Sequence, residues 1–528
     1  MENIKDTLLL DISEDIKKVI DLEDQTENEI QNEIENYIIT PKLSEYLAKF
    51  VQIYKSNIKE SGVWISGFYG SGKSYFGKNI GHIIANRSIN GTAARERFIQ
   101  RLRGLPNENL LENDIRGLDA FHSRVIFLDV AKQNTDKGGL AWVLFRNFLS
   151  SLGYLNNSIG IIEFSMFLDD SYPEFLSKVE EFENKQWNVL KNDIKHPIFF
   201  RRVITNYKFT EKEYDDLKQS ADHTIETFDA AKLRDYLKKY LDKNKDERVV
   251  FIFDEASEAI GSKKFSLLDL EGISEALSSL SRKVWTIAIA QEKLDDVIHN
   301  ANVNKNQLVK VTDRFKTQLH LESTEVEFII KNRLLKKTEE AYKKLIDFYN
   351  GKIGQITDFT KLKASFNTAI ENADEFATFY PFHKYQFRLL QNFLFKSNIL
   401  AKTQIAERGM IITAFDVLKK RLKNKPLYYS ASSFDIVTEG QLNPPISLNS
   451  KYNKARKKLI ELNLETNGED LLKVIHFLTE SESEADANID NISRCYLENL
   501  NDDIYKIKAA VEKAVTALVE VDILIETN

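Results

Sequence analysis

A single cysteine, Cys495, occurs in 528 residues, so no disulfide can form within the chain. Cysteine this scarce suits a reducing compartment, and the protein is expected to be cytoplasmic. No apolar stretch approaches the roughly 20 residues of a membrane-spanning helix, so no membrane association is expected. The first residues, "MENIKDTLLLDISEDIKKVI", carry acids where a signal peptide has a basic region. Proline is sparse at 8 residues and no low-complexity tract occurs, which favours ordered, largely helical structure. Positive charge is not in excess either. The net charge of −7 excludes a chain-wide basic footprint for nucleic acid and leaves only local patches. What remains, 42% hydrophobic and 29% charged residues, is the composition of a globular protein. Such a length exceeds one core and implies two or three domains.

Glycine is unevenly placed. "GFYGSGKS" (67–74) concentrates it between the apolar run "GVWIS" and the helical pattern "YFGKNIGHIIA". The stretch fits G-x-x-x-x-G-K-[ST], the P-loop, with Gly67, Gly72, Lys73 and Ser74 at the required positions. Gly70, Ser71 and Gly72 let successive backbone N–H groups face a phosphate, and the new helix adds its unpaired N–H groups and dipole. Lys73 then serves the β- and γ-phosphates, Ser74 becomes a magnesium ligand, and Tyr75 follows as a nucleotide-binding residue. ATP with Mg2+ is the expected ligand pair.

Four further apolar runs read as buried parallel strands: 124–131, 248–255, 283–291 and 316–323. Helical patterns separate them, which predicts an α/β P-loop NTPase with a five-stranded parallel sheet. The expected divisions are a helical segment (1–60), an ATPase core (61–323) with a helical insertion at about 140–245, a helical lid (324–425) and a C-terminal region (426–528). "VVFIFDEAS" ends the third run on Asp254 and Glu255, at the carboxyl end where ligands bind in open α/β sheets. Asp254 is expected in the magnesium shell and Glu255 as the base for the attacking water. Gln291 ends the fourth run, either facing the same crevice or bonding a loop. Arg314 precedes the fifth, either reaching a neighbouring subunit's nucleotide or pairing with a local acid such as Asp313.

Together these features resemble the AAA+ ATPases. More narrowly, "EIENYIIT", "GFYGSGKSYFGKNIGHI", "VVFIFDEASEAI", "AIAQEKLDDV", "DRFKTQLHLES" and "YPFHKYQFRLLQ" resemble the BrxC/PglY P-loop proteins of BREX bacteriophage-exclusion systems. The resemblance spans residues 33–391. It implies an antiviral ATPase that oligomerises and works beside a methyltransferase, an alkaline-phosphatase-like protein and smaller factors, on DNA or a DNA-bound complex. It also implies a lid arginine opposite the phosphates; Arg408 in "AERGM" fits that place better than Arg388 in "YQFRLLQ". Members of that family are usually about twice as long, so an N-terminal portion or a short form is expected. The final stretch, "IYKIKAAVEKAVTALVEVDILIETN", reads as a helix leading into a strand, like part of a winged helix.

Residues 419–458 interleave basic residues with tyrosines, a pattern that either binds a nucleic-acid backbone or forms a solvated helix face. Two functional classes follow. One is a motor or loader that hydrolyses ATP at subunit interfaces. The other is a nucleotide-gated switch or scaffold with slow turnover.

Overall fold

A computed structural model describes residues 3–13, 21–56, 61–67, 71–280, 282–300, 305–321, 324–395, 409–441, 444–480 and 484–525. Two compact units result, one formed by Ile20–Phe68 with Gly72–Leu321, the other by Met1–Val19, Tyr69–Ser71 and Glu322–Asn528.

The first unit is built on one all-parallel sheet. Its strands are β1 (Gly62–Gly67), β2 (His122–Asp129), β3 (Glu247–Asp254), β4 (Val284–Ala290) and β5 (Thr317–Leu321), in the spatial order β2-β3-β4-β1-β5. Each coincides with one of the apolar runs. Both faces of the sheet are covered, which is why the runs are continuous instead of alternating with polar residues. Val63, Ile65, Ile252, Ile287 and Leu319 pack on one face with α1 (Glu27–Glu35), α2 (Pro41–Lys55) and α3 (Lys73–Ala85). Trp64, Leu128, Phe251, Phe253 and Ala288 point to the other face, as the two-residue period of a strand requires. There they meet α4 (Gly139–Ser151) and α5 (Ala230–Lys243), the first and last helices between β2 and β3.

Local signals explain the element boundaries. The Thr40 hydroxyl accepts from the Leu43 amide at 3.0 Å and Pro41 fills the first turn, so α2 starts where the sequence predicts. Along α3, Gly77 and Gly81 form a smooth strip on the sheet side. A Cβ on Gly81 would collide with the Phe127 ring. Past β3 lie α6 (Ala256–Gly261) and α7 (Leu267–Ser278), and before β5 lies α8 (Lys305–Arg314).

The insertion between β2 and β3 is helical, as expected, and holds a buried carboxylate. Glu163 accepts from the Leu155 amide (2.7 Å), the Trp187 indole (2.7 Å) and the Tyr172 hydroxyl (3.1 Å). Burial still pushes its carboxyl above the ordinary value.

The second unit is helical and includes α9 (Lys384–Phe395), α10 (Ile446–Glu461) and α11 (Ile504–Val519). Residues 324–425 and 426–528 share this unit with the first residues of the chain. The winged-helix-like ending is corrected. After α11, residues 520–525 form turns, and the amides of Ile523 and Leu524 both bond to the Leu518 carbonyl. Asp522 in the left-handed region (φ 57°) folds the segment back on the helix end, so its apolar residues do not extend as a strand. Among the described residues no helix is long and apolar enough to cross a membrane.

Candidate nucleotide-binding site

β1 is buried throughout and delivers Gly67 at its carboxyl end. The turn into α3 is made by Gly72, which caps the helix at φ 83° and ψ 14°. A Cβ on Gly72 would touch nothing within 4 Å, so the dihedral, not crowding, calls for glycine. The amide of Phe76 closes the first helical turn on the Gly72 carbonyl at 2.8 Å. Lys73 and Ser74 are the first two residues of α3, where the helix presents unpaired N–H groups. Ser71 is buried with a hydroxyl that has no hydrogen-bond partner. Such an orphan normally costs free energy, and it fits a loop shaped for a polar ligand. Tyr75 packs edge-on against Tyr37, with ring centroids 4.9 Å apart. Gly70 lies outside the described residues.

Asp254 ends β3 and is buried. The Ser74 hydroxyl and the Lys73 ammonium both lie near enough to its carboxylate to influence it. Burial lifts the Asp254 carboxyl to about 6, helped by the neighbouring Glu255 charge, while Ser74 and Lys73 pull it back. Ser74 and Asp254 thus lie close together as hard oxygen donors, a hydroxyl and a carboxylate suited to magnesium completed by phosphate and water. Among the described residues no group of three or more His, Cys, Asp or Glu side chains could hold a metal.

Glu255 is held in the left-handed region at φ 57° and ψ 34°, rare for a side chain of this size. Its amide donates to the Asp254 carboxylate at 2.8 Å, which fixes the turn. Strain of this kind persists where surroundings over-determine it, as at functional sites. On the adjacent strand, Gln291 donates from its side-chain amide to Glu255 at 3.2 Å. Its backbone N–H donates to the Ser257 hydroxyl at 3.1 Å, a contact the sequence did not signal because Ser257 lies in the first turn of α6. The crevice reading of Gln291 thus has a contact behind it, although a backbone anchor to α6 exists as well.

The arginines sort differently. Arg314 ends α8 and pairs with Glu275 of α7 at 3.1 Å, not with Asp313; its Nε is buried without an acceptor. Arg388 on α9 makes a two-pronged bond to Glu484, 2.8 Å on each side, and stacks over the Phe366 ring. Arg408 lies outside the described residues. In the basic segment, Lys420 pairs with Asp416 and Glu439, and Arg421 with Glu439. Tyr452 of α10 is buried, with its hydroxyl 2.9 Å from His476, so it is not free to stack on a base. Lys451, Lys454 and Lys457 are exposed, while Arg456 lies 3.7 Å from Glu469.

No known protein-family model matches the chain.

Proposed function

We propose that the protein binds ATP with magnesium and hydrolyses it, as an ATPase of the AAA+ kind serving a BREX-type phage-exclusion system. The observation that carries the reading is the convergence of Ser74, Asp254, Glu255 and Gln291 at the carboxyl ends of β1, β3 and β4. The strand order supports it further, because β4 lies between the P-loop strand and the Asp-Glu strand and carries a polar residue between their ends. The BREX assignment rests on the sequence resemblance alone.

In this mechanism the P-loop N–H groups and Lys73 bind the phosphates, and Ser74 and Asp254 hold magnesium. When bound, the cation neutralises charge on the β- and γ-phosphoryl oxygens. Glu255 orients a water against the γ-phosphorus and accepts its proton, while Gln291 keeps the Glu255 carboxylate in place. Arg314 is the candidate to stabilise charge on a neighbouring subunit's nucleotide, and Arg408 the candidate lid arginine. Partners are further copies of the chain, the other BREX proteins, and DNA through the exposed cations of α10.

The alternative reading, a switch or scaffold with slow turnover, draws on Arg314 being occupied by Glu275 in the isolated chain. ATPase rate measured against protein concentration, with and without DNA, separates the two. A motor depends steeply on both; a switch depends on neither. The site itself is tested by Lys73→Ala, which should abolish binding of an ATP analogue in calorimetry. Unchanged affinity would remove the P-loop reading.

A further inference from the structure

β2 forms one edge of the sheet, and among the described residues no strand pairs with its outer side. The Val130 amide donates inward to the Asp254 carbonyl at 3.2 Å, while the Asp129 amide donates outward to the Glu23 carboxylate at 3.1 Å. Alternation along a strand then sends the backbone groups of Arg124, Ile126 and Leu128 toward β3, and those of Ser123, Val125 and Phe127 away from it. Among the described residues these three have no backbone partner on the outer side. They lie along a groove of about 980 Å³, walled by Ile89 and Ala94 on one side and by Asn147 and Ser151 on the other.

Exposed edges of this kind template strand addition, and proteins usually cover or blunt them. Here, among the described residues, only the last outward amide is capped, by Glu23. The charges in the groove are unevenly committed. Asp119 is paired with Arg95, Glu247 with Arg124, and Glu23 with the Asp129 and Gln133 amides. Arg87 is exposed and meets no carboxylate among the described residues, and His122 is exposed at the other end. The unmatched charge is positive.

We propose that this groove accepts an extended, acidic segment of a partner polypeptide, which adds to the sheet as a sixth strand beside β2. Main-chain bonds to Ser123, Val125 and Phe127 would supply affinity, and acidic side chains meeting Arg87 would supply selectivity. Three outward residues at alternate positions span a segment of about five or six residues at roughly 3.3 Å each. The groove is a different place from the P-loop, so the inference stands whether or not ATP is the ligand there.

The test uses the full chain and a fluorescein-labelled peptide, Glu-Val-Glu-Ile-Glu-Val-Glu, followed by anisotropy, with its lysine counterpart as control. The acidic peptide should bind and the lysine peptide should not. Binding should slow hydrogen exchange at the amides of Ser123, Val125 and Phe127. Arg87→Glu should weaken binding about tenfold, because a contact at the rim is reversed in sign. Val125→Pro should abolish it, since proline removes an outward N–H and spares the ladder to β3. Should Val125→Pro not fold, the exchange pattern and Arg87→Glu decide. No binding at millimolar peptide, equal binding of the lysine peptide, or unchanged exchange along β2 would overturn the proposal. So would a dimer in sedimentation in which the amides of Ser123, Val125 and Phe127 are already protected from exchange without peptide, since the occupant would then be a second copy.

Discussion

The side-chain amide of Gln291 donates to the Glu255 carboxylate across 3.2 Å, tying the end of β4 to the end of β3. If Glu255 is the base, Gln291 is a positioning residue that acts through it. Glu255→Gln should then keep ATP binding and lose on the order of 10²–10⁴ in turnover, the usual effect of removing a general base. Gln291→Ala should cost about 10- to 100-fold, the value of one hydrogen bond to a charged group. The double variant should be no worse than Glu255→Gln alone. Losses that multiply in the double variant would give Gln291 an independent role, in contact with phosphate or water.

Arg314 is held by Glu275, a half-exposed partner, so breaking that pair should cost at most about 1 kcal/mol of stability. Arg314→Ala should therefore stay folded and bind ATP while turning over slowly. Mixed with Lys73→Ala, which lacks a functional phosphate site but keeps its arginine, it should recover part of the activity. An inactive mixture, once sedimentation has established oligomers, would leave Arg314 as a local ion pair.

The tight seat of α3 on the sheet is testable through its glycines. Gly81→Ala forces a methyl group against the Phe127 ring and Ile252 and should destabilise by about 1–3 kcal/mol in urea titration. Gly272→Ala, in the interior of α7 with open space around it, should instead stabilise by about 0.5–1 kcal/mol. Equal effects at both positions would mean that α3 does not depend on this close approach.

His383 carries a pH dependence. It is buried with its Nε2 3.1 Å from the Ser430 hydroxyl, and burial depresses its pKa to about 4. An imidazole whose pKa falls from about 6.5 on folding is stabilising above 6.5, and that contribution is lost as pH drops toward 4. Relative to a His383→Asn variant, the wild type should lose about 2 kcal/mol of stability between pH 7.5 and pH 5. Parallel curves for the two proteins would show that His383 does not titrate in this range.

Much of the candidate site was legible in the sequence. The glycine-rich stretch before α3 is a local device, and its last glycine, Gly72, sits at φ 83°, a dihedral that glycine adopts cheaply. Asp254 and Glu255 were equally plain, because a run of β-branched and aromatic residues that stops on two acids marks a buried strand reaching solvent. The C-terminal "VDILIE" misled for the complementary reason. Its β-branched residues favour a strand, but among the described residues no strand pairs with it, and the chain turns back on the end of α11.

The sequence by itself determined the five buried strands, the glycine turn into α3 and the acidic pair, all set by interactions within a few residues along the chain. Only the tertiary structure decided that β4 lies between β1 and β3, and hence that Gln291 meets Glu255 and not only a loop. It also decided the partners of the charges: Arg314 with Glu275, Arg388 with Glu484, Lys420 and Arg421 with Glu439. Long charged side chains choose partners by proximity in the folded chain, and proximity between residues tens of positions apart follows from strand order and helix packing, which no local pattern encodes.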